Sequence, residues 1–530
     1  MFTGARLKIK LPGIFETKAK PDAKPTAKHT HMPSNSHDFL TVTRINVLGY
    51  PIDAGIIKDS ESGVGMKFVV IEPMLNGKEK VAFDIIKKLL MTEISVSISE
   101  IKSTEQAEKR LRFKIIRMSK EYNLNIPPKS LEKITYYALR DFVHLGKIEV
   151  LMRDHMIEEI SCDGVGVPLY VWHREYESMP TNIIFESEDE LDTFARKLAY
   201  ISGKQVSIAD PIVDASLPDG NRINLTLGSE ITKKGSTFTI RRFRADPITI
   251  IDLIKFGTFS KEIAAFMWFL VEKRATMIVA GGTASGKTTT LNALSSFIAP
   301  GQKIVSIEDT HELKLPHENW IPSVSRQNFT TAARVGEITQ FDLLRAALRQ
   351  RPDIVIVGET RGREANTLFQ SMSTGHGGFS SIHADTVEGA LARMTSSPMD
   401  VPKAMIANSL DIMTLQLKLK MGNKSVRRII KVSEIAGVEE GSGEMILNDV
   451  FIWDPVNDKH VFSGKSITLE KIKQRFGLSD DDIQHEITKR QTALEYMIKK
   501  DIRDFDRVNH EIKEFNLNSD KYFERSRVVV

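Results

Sequence analysis

The stretch Gly281-Gly282-Thr283-Ala284-Ser285-Gly286-Lys287-Thr288 constrains this chain more than any other, because a G-x-x-x-x-G-K-[ST] pattern makes physical sense only between a strand and a helix. Both neighbours are of the required kind: the apolar run Met277-Ile278-Val279-Ala280 precedes it, and the helix-like Thr289-Thr290-Leu291-Asn292-Ala293-Leu294 follows. Glycines let backbone N–H groups close on a phosphate, and the helix presents its amino end to the anion. Lys287 is placed to neutralise β/γ charge, and the Thr288 hydroxyl to join a Mg²⁺ shell. Residues Gly281 to Thr289 are therefore expected to bind a nucleoside triphosphate.

A chain of 530 residues is too long for one core. Its 41% apolar and 27% charged residues are those of a soluble globular protein, and a net charge of +4 gives no strong field for nucleic acid. The single cysteine, Cys162, excludes an internal disulfide and a multi-cysteine zinc site, and fits a reducing compartment. No apolar run approaches the ~18 residues of a membrane span, and the amino terminus lacks a signal-peptide core. The longest apolar run, Ile263 to Val271, is bounded by Glu262 and Glu272 and reads as a buried helix. The expected location is cytoplasmic, with any membrane role exerted through partners or surface contact.

Residues 1–37 read as a disordered tail. Lysine and arginine outnumber Glu16 and Asp22, and Pro12, Pro21, Pro25 and Pro33 break helices. Such a tail is either simply solvated or a basic arm for an acidic partner or anionic lipid. Its His29, His31 and His37 are too loosely spaced for a metal site. Residues 38–243 read as an α+β domain with amphipathic helices at Glu105–Tyr122 and Leu131–Asp141. Ser130 is expected to cap the second, and Ser187 with Glu190 to form a capping box before a helix running to Ser202. Residues 244–250 are expected to form a flexible linker, since Pro247 ends strand pairing. From 251 onward, helices and short apolar strands alternate as in a parallel sheet. Arg427–Val438 and Glu444–Trp453 then read as antiparallel strands, and a charged helical extension begins at about 469. Partner docking and plain packing are both open for that extension.

Three further elements follow the glycine loop. Ile304-Val305-Ser306-Ile307 leads into Glu308-Asp309, which places carboxylates at the carboxyl edge of a sheet, where ligands of open α/β sheets bind. A turn or helix cap is the alternative. Asp353-Ile354-Val355-Ile356-Val357-Gly358-Glu359 is a Walker-B-like strand whose terminal carboxylate can hold metal through water or orient the attacking water. Thr339 and Asp342 are spaced as a capping box for the helix before it. In Thr374-Gly375-His376-Gly377-Gly378-Phe379-Ser380-Ser381-Ile382-His383-Ala384-Asp385, two histidines flank a short strand. They can sense a γ-phosphate by hydrogen bonding; a zinc pair is the rival, but no third ligand is evident.

Together these four motifs resemble the secretion-motor ATPase superfamily, which includes the type II secretion, type IV pilus, VirB11-like and archaellum ATPases, where they are the Walker A, Asp box, Walker B and His box. The match covers roughly residues 150–460. Ile160-Ser161-Cys162-Asp163-Gly164, the Ala284-containing loop with Thr288-Thr289-Thr290, and Leu315-Pro316-His317-Glu318-Asn319-Trp320-Ile321-Pro322 resemble the archaeal branch. The chain departs from bacterial relatives in lacking their paired CxxC module, and in carrying Ala284 where many have glycine, a change expected to leave the loop intact.

The resemblance implies a RecA-like P-loop ATPase domain behind a separate α+β domain, assembled as a ring-shaped homohexamer with ATP held between the two domains. It implies that Lys287 and Thr288 bind phosphate and Mg²⁺, that Glu359 is the catalytic base, and that Glu308 positions water or metal. By the same resemblance His376 and His383 couple the γ-phosphate to domain motion. Arg222, and Arg241 or Arg242, match arginines that reach the phosphates from the amino-terminal domain. Adjacent strand residues face opposite sides, so Arg241 and Arg242 are not both expected at one nucleotide. A polytopic membrane platform protein is the implied partner, with direct nucleic-acid contact not expected. The competing readings are a VirB11-like ATPase of a conjugation system and a nucleotide-gated scaffold that hydrolyses little.

Overall fold

A computed structural model of the protein describes residues 39–60, 63–93, 103–242, 246–326, 336–422 and 424–529. The basic tail with its three histidines, and residues 244–245 of the expected linker, lie outside these residues. The chain divides into two compact units, Met1–Phe243 and Arg244–Val530.

The first unit is built on β1 (Phe39–Val47), β2 (Tyr50–Lys58), β3 (Met66–Ile71), β4 (Ile157–Cys162), β5 (Pro168–His173), β6 (Glu177–Ile184), β7 (Ile212–Ser216), β8 (Arg222–Thr226) and β9 (Thr237–Arg241). They form one sheet in the order β1-β2-β3-β6-β5-β4-β9-β8-β7, parallel only where β3 meets β6. One face is covered, as the alternation in β8 records: Ile223 and Leu225 are buried and Asn224 between them is exposed. The helices Gly77–Glu93, Thr104–Glu121 and Pro128–Phe142 pack a separate core around Ile86, Ile115 and Ile134.

Two capping expectations are revised here. Pro128 occupies the start of its helix, where a missing N–H costs nothing, so Ser130 lies inside rather than at the cap. The Ser130 hydroxyl instead donates to the buried Glu79 carboxylate at 2.7 Å. Ser187 does accept from the Glu190 N–H at 3.3 Å, but the Glu190 carboxylate takes the Glu186 N–H, so only half of the box forms.

The second unit carries β10 (Met277–Gly281), β11 (Ile304–Glu308), β12 (Trp320–Val324), β13 (Ile354–Val357), β14 (Gly377–His383), β15 (Ile412–Met421), β16 (Lys424–Val438), β17 (Met445–Asp454) and β18 (Lys459–Phe462). Their order is β12-β11-β13-β14-β10-β15-β16-β17-β18. From β12 to β15 every pairing is parallel, and from β15 to β18 every pairing is antiparallel. The strand leading into the glycine loop is thus separated from the Walker-B-like strand by β14, the RecA-like arrangement. Every residue of β10, β11 and β13 is buried, because helices cover both faces.

The unit begins at a complete capping box in which Thr249 and Asp252 satisfy each other's backbone, with Ile250 and Ile251 already in the core. The helix Lys261–Glu272 buries all of Ile263 to Val271, too apolar a surface for one sheet face to cover. The carboxyl-terminal helices Ile467–Phe476, Asp480–Lys499, Phe505–Leu517 and Ser519–Arg527 supply the rest of the cover. Trp268 stacks on Phe297 and meets Phe515, each at a centroid distance of 4.7 Å. Arg490 pairs with Glu272 and lies over the rings of Phe269 and Phe515. Among the described residues no helix is long and apolar enough to cross a membrane.

Candidate active site

The parallel register gathers the motif residues at one edge. Gly281 lies opposite His383, and Ile307 opposite Val357, so β10, β11, β13 and β14 deliver Gly281, Glu308, Glu359 and His383 to the carboxyl edge of the sheet. There the chain leaves β10, turns through 282–286, and enters the helix Lys287–Ser295. Gly286 has φ +95° at the helix cap, a conformation open to glycine. Gly281 is required for space, since a Cβ there would lie 2.3 Å from the Gln416 carbonyl oxygen. Ala284 keeps the course of the loop, but at φ +57°, where a side chain costs about 1–2 kcal/mol relative to glycine.

Lys287 is buried, and its Nζ donates to the Gly282 carbonyl at 2.9 Å while lying 3.4 Å from Nε2 of His383. Burial lowers the ammonium's pKa, and the Glu359 carboxylate acts against that shift. Glu359 receives a 2.6 Å hydrogen bond from Arg361 on Oε2, and its Oε1 lies 3.4 Å from His383 Nε2 without a hydrogen-bond partner. Burial alone would raise the Glu359 pKa, but the hydrogen bond and charge of Arg361, with the Lys287 ammonium, hold it below the ordinary carboxylate value. The His383 imidazole is pushed down by burial and by Lys287, which favours the neutral ring.

Glu308 is fully buried, and desolvation raises its pKa to about 7. Its Oε1 accepts the N–H groups of Glu312 and Leu313, each at 3.0 Å, and its Oε2 lies 3.3 Å from Nδ1 of His311. The side chain packs against Gly358, one residue before Glu359. One oxygen thus holds its own loop, and the other faces a histidine.

The two histidines do not share a site. His376 precedes β14 at its amino end, where Gly377 pairs with Ile354, whereas His383 closes its carboxyl end. At ~3.3 Å per strand residue they stand roughly 20 Å apart. The expected pairing at the γ-phosphate is therefore corrected: of these two histidines, His383 reaches that edge and His376 does not. His376 sits against the Ser371 carbonyl and the Thr374 hydroxyl at the end of the preceding helix. The same strand rules out a zinc site shared by the two.

In the first unit Arg222 lies opposite Arg241 on neighbouring strands, and Arg241 opposite Glu159. Directly opposed residues share a face, so the two arginines form one row on the uncovered side. Arg222 makes a two-point pair with Asp214 at 3.2 and 2.9 Å. Arg241 touches Glu159 at 3.2 Å and stays largely exposed. Arg242 turns the other way and donates to the carbonyls of Asp154 and Ile157, the latter at 3.0 Å, as a brace inside the unit.

Several residues at the edge escape sequence reasoning. Arg361 holds Glu359, and Arg393 donates to the His383 carbonyl at 2.9 Å, while Asp385, which closes the histidine motif but carried no expected role, lies close beside Gly282. Gln416 and Arg427 bond to the loop itself. The available signal for Gln416 was a carboxamide in the mostly apolar strand Ile412-Met413-Thr414-Leu415-Gln416-Leu417, since a buried polar group requires a partner.

The arrangement also suits an anion and a metal-bound phosphate. Ser285 Oγ in the loop is buried with no hydrogen-bond partner, Glu359 Oε1 is likewise unpartnered, and the buried Lys287 ammonium is held by the Gly282 carbonyl with the His383 ring beside it. Among the described residues no group of three or more histidine, cysteine or acidic side chains could hold a metal unaided, so a cation here would depend on phosphate and water oxygens.

Fold and site define a P-loop protein with a RecA-like core. The chain belongs to the Type II/IV secretion system protein family, which it matches over residues 144–445. It is 38% identical over 464 residues to an uncharacterized protein of Methanocaldococcus jannaschii, spanning 83% of each chain. It is 29% identical over 280 residues to the type IV secretion system protein PtlH of Bordetella pertussis, covering 46% of this chain and 80% of that one. Similar solved structures include the VirB11 ATPase of Brucella suis, with 23% identity, a TM-score of 0.28, and coverage of 54% of this chain and 92% of that one. The Legionella pneumophila ATPase DotB gives 15% identity, a TM-score of 0.38, and coverage of 67% and 91%.

Proposed function

We propose that the protein is an ATP-hydrolysing motor subunit of a hexameric ring. The ring acts at the cytoplasmic face of a membrane and drives assembly of a type IV-pilus-like filament, an archaellum or a type II secretion pseudopilus. The observation that supports this best is the convergence of Lys287, His383 and Glu359, with His383 Nε2 lying 3.4 Å from both the Lys287 ammonium and the Glu359 carboxylate.

In this reading the phosphates enter the loop Gly281–Thr289, and Lys287 leaves the Gly282 carbonyl for phosphate oxygen. Glu359 stays ionised because Arg361 holds it, and its unpartnered oxygen accepts the proton of the attacking water. The neutral His383 ring lies between base and ammonium, where it can report the presence of a γ-phosphate by hydrogen bonding. Mg²⁺, when bound, would be held by Thr288 with Glu308 and Glu359 near it, and would offset charge on the transferring phosphoryl group. Arg222 and Arg241 are the cations of the first unit offered to the phosphates. If that unit closes only over a γ-phosphate, hydrolysis releases it, and turnover becomes motion. A polytopic membrane protein is the proposed recipient of that motion, with anionic lipid a second contact for the basic tail.

The likeness to a type IV secretion system protein favours a second reading, a VirB11-like ATPase of a conjugation or type IV secretion system. Steady-state ATPase assays test the enzyme itself. Lys287→Ala is expected to abolish turnover, and wild-type turnover in that variant would refute the site. Glu359→Gln is expected to keep ATP binding while kcat falls by about 10²–10⁴; weakened binding with turnover retained would contradict its role. Stimulation by anionic vesicles supports the filament reading, and salt-dependent DNA binding the conjugation reading.

A further inference from the structure

We infer that the hairpin β15–β16 sets the shape of the phosphate-binding loop through Gln416 and Arg427, which makes both of them positioning residues for the nucleotide, an inference that rests on the loop being the nucleotide site proposed above. β15 runs parallel to β10 with Leu415 opposite Ala280, and β10 ends one residue later. Gln416 therefore falls beneath the loop, where it is 1% exposed. A carboxamide is costly in such a place unless both ends are bonded.

Both ends of Gln416 are bonded, and to the two parts that must hold a fixed relation. Nε2 donates to the Ser285 carbonyl in the loop at 2.8 Å, and Oε1 accepts from the Thr290 hydroxyl in the first turn of the following helix at 2.6 Å. From the next strand, Arg427 Nε donates to the Ala284 carbonyl at 3.1 Å. Ala284 is the residue at φ +57°, a conformation alanine does not adopt by preference.

The consequence follows from peptide geometry. In a trans peptide the C=O of one residue and the N–H of the next point in opposite directions. Pinning the carbonyls of Ala284 and Ser285 toward the hairpin turns the N–H groups of Ser285 and Gly286 away from it, into the cradle. The Ser285 N–H does point at the Gly282 carbonyl oxygen, at 3.4 Å, and the Lys287 ammonium reaches the same oxygen at 2.9 Å. The Ser285 N–H and the Lys287 ammonium thus already converge on one oxygen, and the hairpin holds the loop in that shape before a phosphate arrives. Such preorganisation strengthens binding by lowering its ordering cost.

Equilibrium binding of a fluorescent ATP analogue, measured beside kcat, KM and thermal melting, tests this on the full chain. Gln416→Met keeps size and loses both bonds; Gln416→Glu keeps the acceptor for Thr290 but cannot donate to Ser285. Both are expected to weaken binding at least tenfold while kcat changes less than threefold. Arg427→Ala is expected to weaken it about three- to fivefold and, lying nearer the surface, keeps the test open if a Gln416 variant fails to fold. Wild-type affinity in Gln416→Glu and Arg427→Ala, or a lower melting temperature with unchanged affinity, would overturn the inference while leaving the nucleotide site intact. Absence of binding by the wild-type chain would remove the nucleotide reading, and this inference with it.

Discussion

At the scale of single residues, the carboxyl edge of the second sheet is governed by what burial does to charge. Glu308 ends one apolar strand and Glu359 lies two residues past the end of another, yet their surroundings push them apart: cations hold Glu359 low, while desolvation lifts Glu308 to about 7. A carboxyl whose folded pKa lies above its unfolded value binds more protons when folded, so its contribution to stability is present at low pH and is lost as pH rises through the folded value. A rise from 4.5 to about 7 corresponds to about 3 kcal/mol between pH 4.5 and 7. The carboxamide introduced by Glu308→Gln keeps a carbonyl oxygen for the N–H groups of Glu312 and Leu313 but does not titrate. In the nucleotide-free protein, this substitution is thus expected to flatten the fall in unfolding free energy across that window, as read by urea melts at several pH values. Identical pH profiles for variant and wild type would disprove it.

At the scale of elements, the carboxyl-terminal helices are a structural part of the second unit. The helix Lys261–Glu272 is apolar on all sides and needs cover on all sides. Trp268 is the centre of that contact, between Phe297 and Phe515. Trp268→Ala is expected to cost about 3–5 kcal/mol in chemical unfolding of this unit. Phe515→Ala touches the same stack, so the double variant is expected to fall short of the sum of the two single losses. Strict additivity would separate the helices from the core. The elements also show where periodicity misleads. Ser130 has the composition of a cap, but Pro128 starts the helix earlier. His376 and His383 are neighbours in sequence, and an extended strand carries them to opposite edges.

At the scale of the whole molecule, the proposal asks the first unit to supply cations and the second to supply the loop. The three candidate arginines divide by geometry: Arg222 and Arg241 share the uncovered face, and Arg242 is tied to the carbonyls of Asp154 and Ile157. Arg241→Ala is expected to leave thermal stability within about 0.5 kcal/mol and to lower ATP turnover. Arg242→Ala is expected to destabilise the first unit by about 1–3 kcal/mol, because it removes the guanidinium that donates to the carbonyls of the buried residues Asp154 and Ile157. Equal stability losses in the two variants, or full turnover in Arg241→Ala, would contradict the division.

The sequence by itself determined the elements whose signal is local. The glycine loop between an apolar strand and a helix, the strand leading to Glu359, the box of Thr339 and Asp342, and the buried run Ile263–Val271 all depend on residues close in the chain. Only tertiary structure decided which distant groups meet at the loop. Gln416 and Arg427 lie more than a hundred residues beyond Ser285 and Ala284, and reach them because β15 pairs beside β10 and outruns it. The pKa of Glu308 and the pairing of Glu359 with His383 likewise arise from the parallel register. The physical reason is that hydrogen bonding and desolvation depend on distance in space, which strand order fixes and local periodicity does not record.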